Sequence, residues 1–413
     1  MIELTGRRMI AQRPEERTGV YCFIFETQPG TLMKFYSYIK RSDTTEISYV
    51  QFSKDGGITW DNPRTIVTGT KTEEGTERYY FRNSIVHENR LLSMKIKGVL
   101  PTDDPLEGLK HWSTWYTVSE DGGRTNIVEE QVILNGAEYD DEHPVPGVWK
   151  GRNSLMMGDR TELPIITKYQ QNQKDNGVIL LPVQITPVGE DGSYYNPGGG
   201  YTYHYSAVIR GIMKSDGHVE WIDMSEPVNN EPGQSTRGAI EPTIIELKDG
   251  RILMVMRGSN GGSLDPEFRI PSYRWYCVSE DGGRSFCKPH PWGYTDGEVF
   301  FSPSSCSQLL EHSNGRYYWI GNINRENSRA NMPRNPLYIV EVDRDSLLLI
   351  KETACIVADV EEGQSPDTTF SNFYAREERG TGDILVYMTA FHADPDNIFG
   401  ADAYEYRLRI GES

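Results

Sequence analysis

Ser53-Lys54-Asp55-Gly56-Gly57-Ile58-Thr59-Trp60 returns as Ser119-Glu120-Asp121-Gly122-Gly123-Arg124-Thr125-Asn126, and again as Ser279-Glu280-Asp281-Gly282-Gly283-Arg284-Ser285-Phe286. Each copy follows an alternating run: Glu46 to Phe52, Trp112 to Val118, Arg274 to Val278. The shared chemistry is that of a hairpin turn. Asp-x-Gly supplies a backbone with positive φ, and the Asp carboxylate can take hydrogen bonds from the turn amides. The Ser or Thr hydroxyl can close the turn, and the final aromatic can tuck beneath it.

Three copies at equivalent places after strands are the mark of a repeat fold. Working outward from them, strand clusters fall into six groups: Tyr21 to Val67, Tyr79 to Leu134, Trp149 to Ile222, Ile240 to Lys288, Phe300 to Val357 and Thr369 to Ile410. The long gap between the second and third copies leaves room for two or three such groups. The copies resemble the Asp-box of sialidases and related propellers. The resemblance implies an all-β, six-bladed β-propeller spanning residues 1–413 as one domain. It also implies that the three aspartates are structural and remote from chemistry. Ile2 to Ala11 is expected to supply the closing strand of the last blade, which removes the exposed sheet edges.

Composition agrees with many short strands joined by turns: 40 Gly and 24 Tyr in 413 residues, with few helix-favouring runs. A net charge of −18 and the absence of a basic run argue against nucleic acid as a partner. The opening MIELTGRRMIAQRPEE has no apolar stretch and no small-residue cleavage site, so a cytoplasmic location without membrane association is expected. Five cysteines without zinc spacing read as free thiols. There is no Gly-rich phosphate loop after a strand, no His-Glu-x-x-His and no Cys-x-x-Cys, so neither metal nor cofactor is expected.

In a propeller the innermost strands start around one mouth of a central channel, and charges placed there are costly unless paired or used. The polar residues near those starts are Arg82 and Asn83, Arg152 and Asn153, Arg237 and Glu241, Ser304, Ser305 and Ser307, and Ser371 and Asn372. The most informative segment runs from Glu241-Pro242-Thr243 through Leu247-Lys248-Asp249-Gly250 to Arg257. It is similar to the sialidase hairpin in which a Glu opens a strand and an Arg ends the returning one. The resemblance implies that Glu241 polarises a nucleophile and that Arg257 grips a substrate carboxylate, for which the guanidinium fork is suited. A third arginine of that set would be Arg325 or Arg334.

Elsewhere the chain departs from the family. Arg269-Ile270-Pro271 matches the family's Arg-Ile-Pro motif but falls inside the fourth blade. The place of the nucleophilic Tyr reads Thr369-Phe370-Ser371-Asn372, and Phe370 carries no hydroxyl. Tyr374, Tyr203 and Tyr205 are possible substitutes. Tyr203 and His204, in the strap Gly198 to Tyr205, and Asp159 are candidate catalytic groups beside Glu241, with His87 and Asp43 as weaker acids. The reading that follows is a glycan-directed enzyme: an exo-acting glycoside hydrolase removing a terminal sugar, an acidic one among the options. A uronate-glycan lyase and a non-catalytic carbohydrate-binding propeller are the alternatives.

Overall fold

The computed structural model describes residues 1–41, 44–134, 155–156 and 162–411. Strands dominate, and they form six sheets. The first blade is Gly19–Gln28, Thr31–Arg41, Thr44–Ser53 and Arg64–Val67, paired in that order. The fourth is Ile240–Glu246, Ile252–Arg257, Arg274–Ser279 and His290–Pro291. The fifth is Gln308–Glu311, Tyr317–Asn322, Leu337–Val342 and Cys355–Ala358. The sixth is Tyr374–Glu377, Ile384–Thr389 and Ala403–Ile410, completed by Ile2–Ala11. That last pairing is antiparallel, from Ile2 opposite Ile410 to Ala11 opposite Ala403. The two ends of the described chain thus close one blade.

Two blades are not simple four-stranded sheets. In the second, the short strand Gly69–Thr72 folds back on Gly75–His87 and adds a fifth strand. In the third, two short pieces, Leu155–Met156 and Ile165–Ile166, both pair with Ile179–Ile185. Among the described residues, no helix is long and apolar enough to cross a membrane.

The core lies between blades rather than within one. Strands in the middle of a blade are covered on both faces, which is why Ile179–Ile185 is buried throughout. Trp221, Tyr116 and Ile179 fill the seam between the second and third blades. Trp292 and Trp319 meet edge to face at 5.4 Å in the seam between the fourth and fifth. Packing blade against blade fixes their angular spacing, and so the positions of the inner strands around the channel.

The three repeated turns share one hydrogen-bond pattern. In the first, Ser53 Oγ donates to Asp55 (2.7 Å) and accepts from the Gly57 amide (2.9 Å), while Asp55 accepts from the Thr59 amide and hydroxyl. Ser119–Asp121–Thr125 and Ser279–Asp281–Ser285 repeat it. Gly56 and Gly57 have φ of 70° and 90°, a region that a Cβ penalises. The Thr59 hydroxyl bond, with the amide and Ser53 bonds, holds Asp55 down at about 2. Each of the three turns joins the last two strands of its blade, at the end away from the inner-strand starts.

Candidate active site

At the start of the fourth blade's inner strand the ladder breaks between Ile240 and Thr243. Glu241 sits in that bulge with φ of 49°, and its amide donates to Gln184 Oε1 of the third blade at 3.0 Å. A bulge turns one side chain out of the strand's alternation, and a left-handed non-glycine residue is held only where its surroundings enforce it. The Glu241 side chain meets Arg257 at the end of the neighbouring strand, Oε1 to Nη2 at 2.9 Å. Both are buried, 6% and 8% exposed. Glu241 Oε2 and Arg257 Nε have no hydrogen-bond partner.

Three more guanidinium groups gather on this pair. Arg257 and Arg334 both donate to the Ser304 carbonyl, at 3.0 and 3.2 Å. Arg274 stands opposite Arg257 in the ladder, fully buried, and donates to the Ser305 carbonyl (3.0 Å) and Ser302 Oγ (2.8 Å). Arg237 donates to the Thr202 carbonyl and hydroxyl. Burial first, and the Arg257 charge second, pulls Arg237, Arg274 and Arg334 below the usual arginine range. Among the described residues, Glu241 is the carboxylate whose charge opposes that pull on all three. The site therefore has buried cations in excess of anions and suits a ligand rich in acceptor oxygens. Ser304 Oγ and Ser307 Oγ, both buried and without a partner, lie on the same blade-five approach.

His204 is buried just ahead of the third-blade strand Tyr205–Met213, bridged to Gly238. Burial, then Arg237, pulls its pKa down to about 3, against a hydrogen bond with the Ile185 backbone. It is therefore neutral near pH 7, with Nδ1 unpartnered. On the far side of the mouth, Asn372 has φ of 54°, donates to Tyr21 Oη at 3.0 Å and accepts from Cys306 Sγ at 3.2 Å. Tyr21 and Cys306 both act electrostatically on Arg334. Burial, and after it the charge of Arg334, lowers the pKa of His392.

The structure thus brings together Glu241, Arg237, Arg257, Arg334 and His204. Of the two arginines that spacing could not separate, Arg334 is at the mouth and Arg325 is exposed. Arg152 and Asp159 lie outside the described residues, as does Asp43. Arg82 is on the strand Gly75–His87, and its side chain is likewise outside the description. Tyr203 needs correction. It is fully buried, and its hydroxyl is spent on Asn229 Oδ1 (3.1 Å) and the Asn230 carbonyl (2.9 Å), away from the arginines. Tyr374 faces the opposite end of the channel, lining a cavity of about 420 Å³ with Glu26, Arg376 and Arg379. Phe370, 3% exposed, belongs to the seam between blades five and six. His87 ends its strand at the far face. Arg269 is exposed and pairs with Glu267, so its Arg-Ile-Pro motif is unconnected to the mouth.

Sequence reasoning missed Arg274 and Tyr21. Arg274 heads the strand that leads into the third repeated turn, and its pairing with Arg257 was the available signal. Tyr21 carries no local signal, because it acts through contacts with blade six. Among the described residues, no group of three or more His, Cys, Asp or Glu is placed to hold a metal ion.

By sequence the chain matches no known family and no characterised protein. Its fold matches many solved structures. One is a protein of unknown function from Dyadobacter fermentans, with TM-score 0.62, 13% identity and 99% of each chain covered. Another is the Trypanosoma rangeli sialidase in complex with 2,3-difluorosialic acid, a covalent intermediate. There the TM-score is 0.54 and the identity 13%, over 97% of this chain but 59% of the sialidase. A third is the GH93 α-L-arabinofuranosidase of Fusarium graminearum with arabinobiose, with TM-score 0.54, 13% identity and 98% of each chain covered. Identities this low carry the architecture and not the chemistry. The chain has the fold of a six-bladed β-propeller of the sialidase type.

Proposed function

We propose that this protein is an exo-acting glycoside hydrolase that removes a terminal sugar, with a carboxylated sugar the best fit to its mouth. The observation that carries the reading is the buried Glu241–Arg257 pair, one carboxylate oxygen without a hydrogen-bond partner, with Arg237, Arg274 and Arg334 around it. Arginines in surplus suit a carboxylate or a row of hydroxyls on the bound unit. Glu241 and Arg257 are deeply buried, which suits the end of a chain better than its middle. The repeated turns, read as Asp-boxes, are scaffold in this account.

In the proposed reaction Glu241 is the base or electrostatic group at the reacting centre, a role that suits a buried carboxylate with one oxygen left without a protein donor. The phenol that Phe370 lacks is offered by Tyr21, held by Asn372 next to Arg334. His204 keeps a neutral imidazole with an open acceptor nitrogen, which serves a substrate hydroxyl. The test is a panel of oligosaccharides ending in neutral and acidic sugars. Release of a reducing sugar that is lost in Glu241→Gln supports the reading, and no release from any member overturns it.

A second reading is elimination on a uronate glycan, favoured by one observation: neutral His204 with Nδ1 open, in the field of Arg237 and Arg257. Products of elimination carry a new double bond and absorb in the ultraviolet. The same panel therefore separates the two.

A further inference from the structure

The rim above Arg237 carries a feature that the reactions proposed for the mouth do not use. Tyr201 is 64% exposed, in a chain whose other tyrosines are mostly packed. Its ring lies over Arg237, with the guanidinium carbon 5.8 Å from the ring centroid. Arg237 in turn belongs to the Glu241–Arg257 cluster. Tyr201 therefore stands at the edge of the mouth, with much of its ring open to solvent.

The segment that displays it is fixed by close backbone packing. A Cβ on Gly198 would lie 2.0 Å from the Thr236 carbonyl oxygen, and one on Gly262 would lie 2.5 Å from that of Gly199. Only glycines allow the strap to lie flush on the blade-four loop. The Ser263 amide donates to the Gly199 carbonyl at 3.1 Å, and the Thr236 amide to that of Ser259 at 2.9 Å. The loop is itself organised by Asp265, which accepts from the amides of Gly261, Arg269 and Ile270. On the other side His204 is bonded to Arg237 and Ala239 through its backbone. A tyrosine on such a wall gives up little entropy when something stacks on it.

We propose that Tyr201 is a stacking platform for the second sugar ring, the one next to the terminal unit held by the arginines. This rests on the reading of the mouth as a sugar site. A sugar ring has an apolar C–H face that matches an aromatic face, whereas its hydroxyl edge matches the arginines. The platform makes the protein a binder of oligosaccharides rather than of single sugar units.

The test is equilibrium binding in a Glu241→Gln background, which prevents consumption of the probes. The probes are arabino-, sialyl- and uronate-terminated oligosaccharides, each beside the methyl glycoside of its terminal sugar. The expected result is that at least one oligosaccharide binds on the order of tenfold tighter than its methyl glycoside. Tyr201→Ala erases that difference, while Tyr201→Phe and Tyr201→Trp keep it. An undiminished difference in Tyr201→Ala, or no difference to begin with, overturns the platform alone. In that case loss of all binding in Arg257→Ala leaves the sugar site standing. No binding of any probe by the background protein overturns the site reading and the platform with it.

Discussion

Glu241 and Arg257 end neighbouring strands of one blade and meet at 2.9 Å, each more than nine-tenths buried. A buried ion pair is seldom a net gain in stability, because both partners lose their hydration. This one also leaves an oxygen and a nitrogen without partners. Retaining it at the mouth of a channel points to use rather than to stability.

Glu241→Gln preserves size and removes the charge. It is expected to fold and melt close to the parent while turnover falls by about a hundredfold or more. Thermal melting and steady-state kinetics on the most active member of the oligosaccharide panel check this. Parental turnover would leave Glu241 as a mere partner of the arginines.

Arg257→Ala strands the Glu241 carboxylate in a buried place. The expected cost is about 3–5 kcal/mol, and binding is lost as well. Arg257→Lys keeps the charge but not the fork, so it should recover most of the stability and little of the affinity. Urea unfolding alongside KM separates the two effects, and equal recovery of both in the lysine variant would contradict the bidentate role.

Phe370→Tyr tests whether restoring the phenol at that position restores anything. Phe370 is packed between blades five and six, so the new hydroxyl would be buried without a partner. Stability should fall by about 1–3 kcal/mol, with turnover unchanged. Tyr21→Phe, by contrast, should lower turnover, because it removes the hydroxyl that Asn372 holds beside Arg334. Melting and kinetics on the two variants settle which site matters. A gain of activity in Phe370→Tyr would reverse the assignment.

His204 gives the fold a pH dependence of defined sign. Burial, with Arg237 behind it, lowers its folded pKa from 6.5 to about 3. The unfolded chain takes up a proton there near its ordinary value and the folded chain does not, so stability falls as pH drops from about 6.5 towards about 3. His204→Gln keeps a donor for the Ile185 backbone and removes the titration. Its unfolding free energy should be flatter than the parent's between about pH 6.5 and about pH 4, above the range where the aspartates of the repeated turns begin to protonate. Parallel slopes in urea titrations would show that His204 is not the group responsible.

What the sequence determined is what a few consecutive residues can determine. Ser-x-Asp-Gly-Gly closes its own turn, because the hydroxyl, carboxylate, amides and left-handed glycines it needs lie within seven residues. Its recurrence after alternating strands made the propeller legible, and the resemblance of the hairpin from Glu241 to Arg257 to its sialidase counterpart paired two candidate residues that the structure brings within 2.9 Å. The N-terminal strand was legible from its place ahead of the first blade, since a strand there can close the last blade and remove its exposed edge. What tertiary structure decided is where side chains from different blades point. Arg334 and Arg325 sit in one polar loop, and only the fold separates them, turning Arg334 to the Ser304 carbonyl that Arg257 also meets and leaving Arg325 exposed. Tyr203, Tyr374 and Tyr21 all look alike as tyrosines on strands. The first is turned inward to Asn229 and Asn230, the second faces the far end of the channel, and the third meets Asn372 across a seam. Glu241 and Asn372 are aimed by positive φ, in Glu241 at a bulge. Such backbone states are stabilised by contacts far away in the chain, such as Gln184 under Glu241, and no local pattern encodes them.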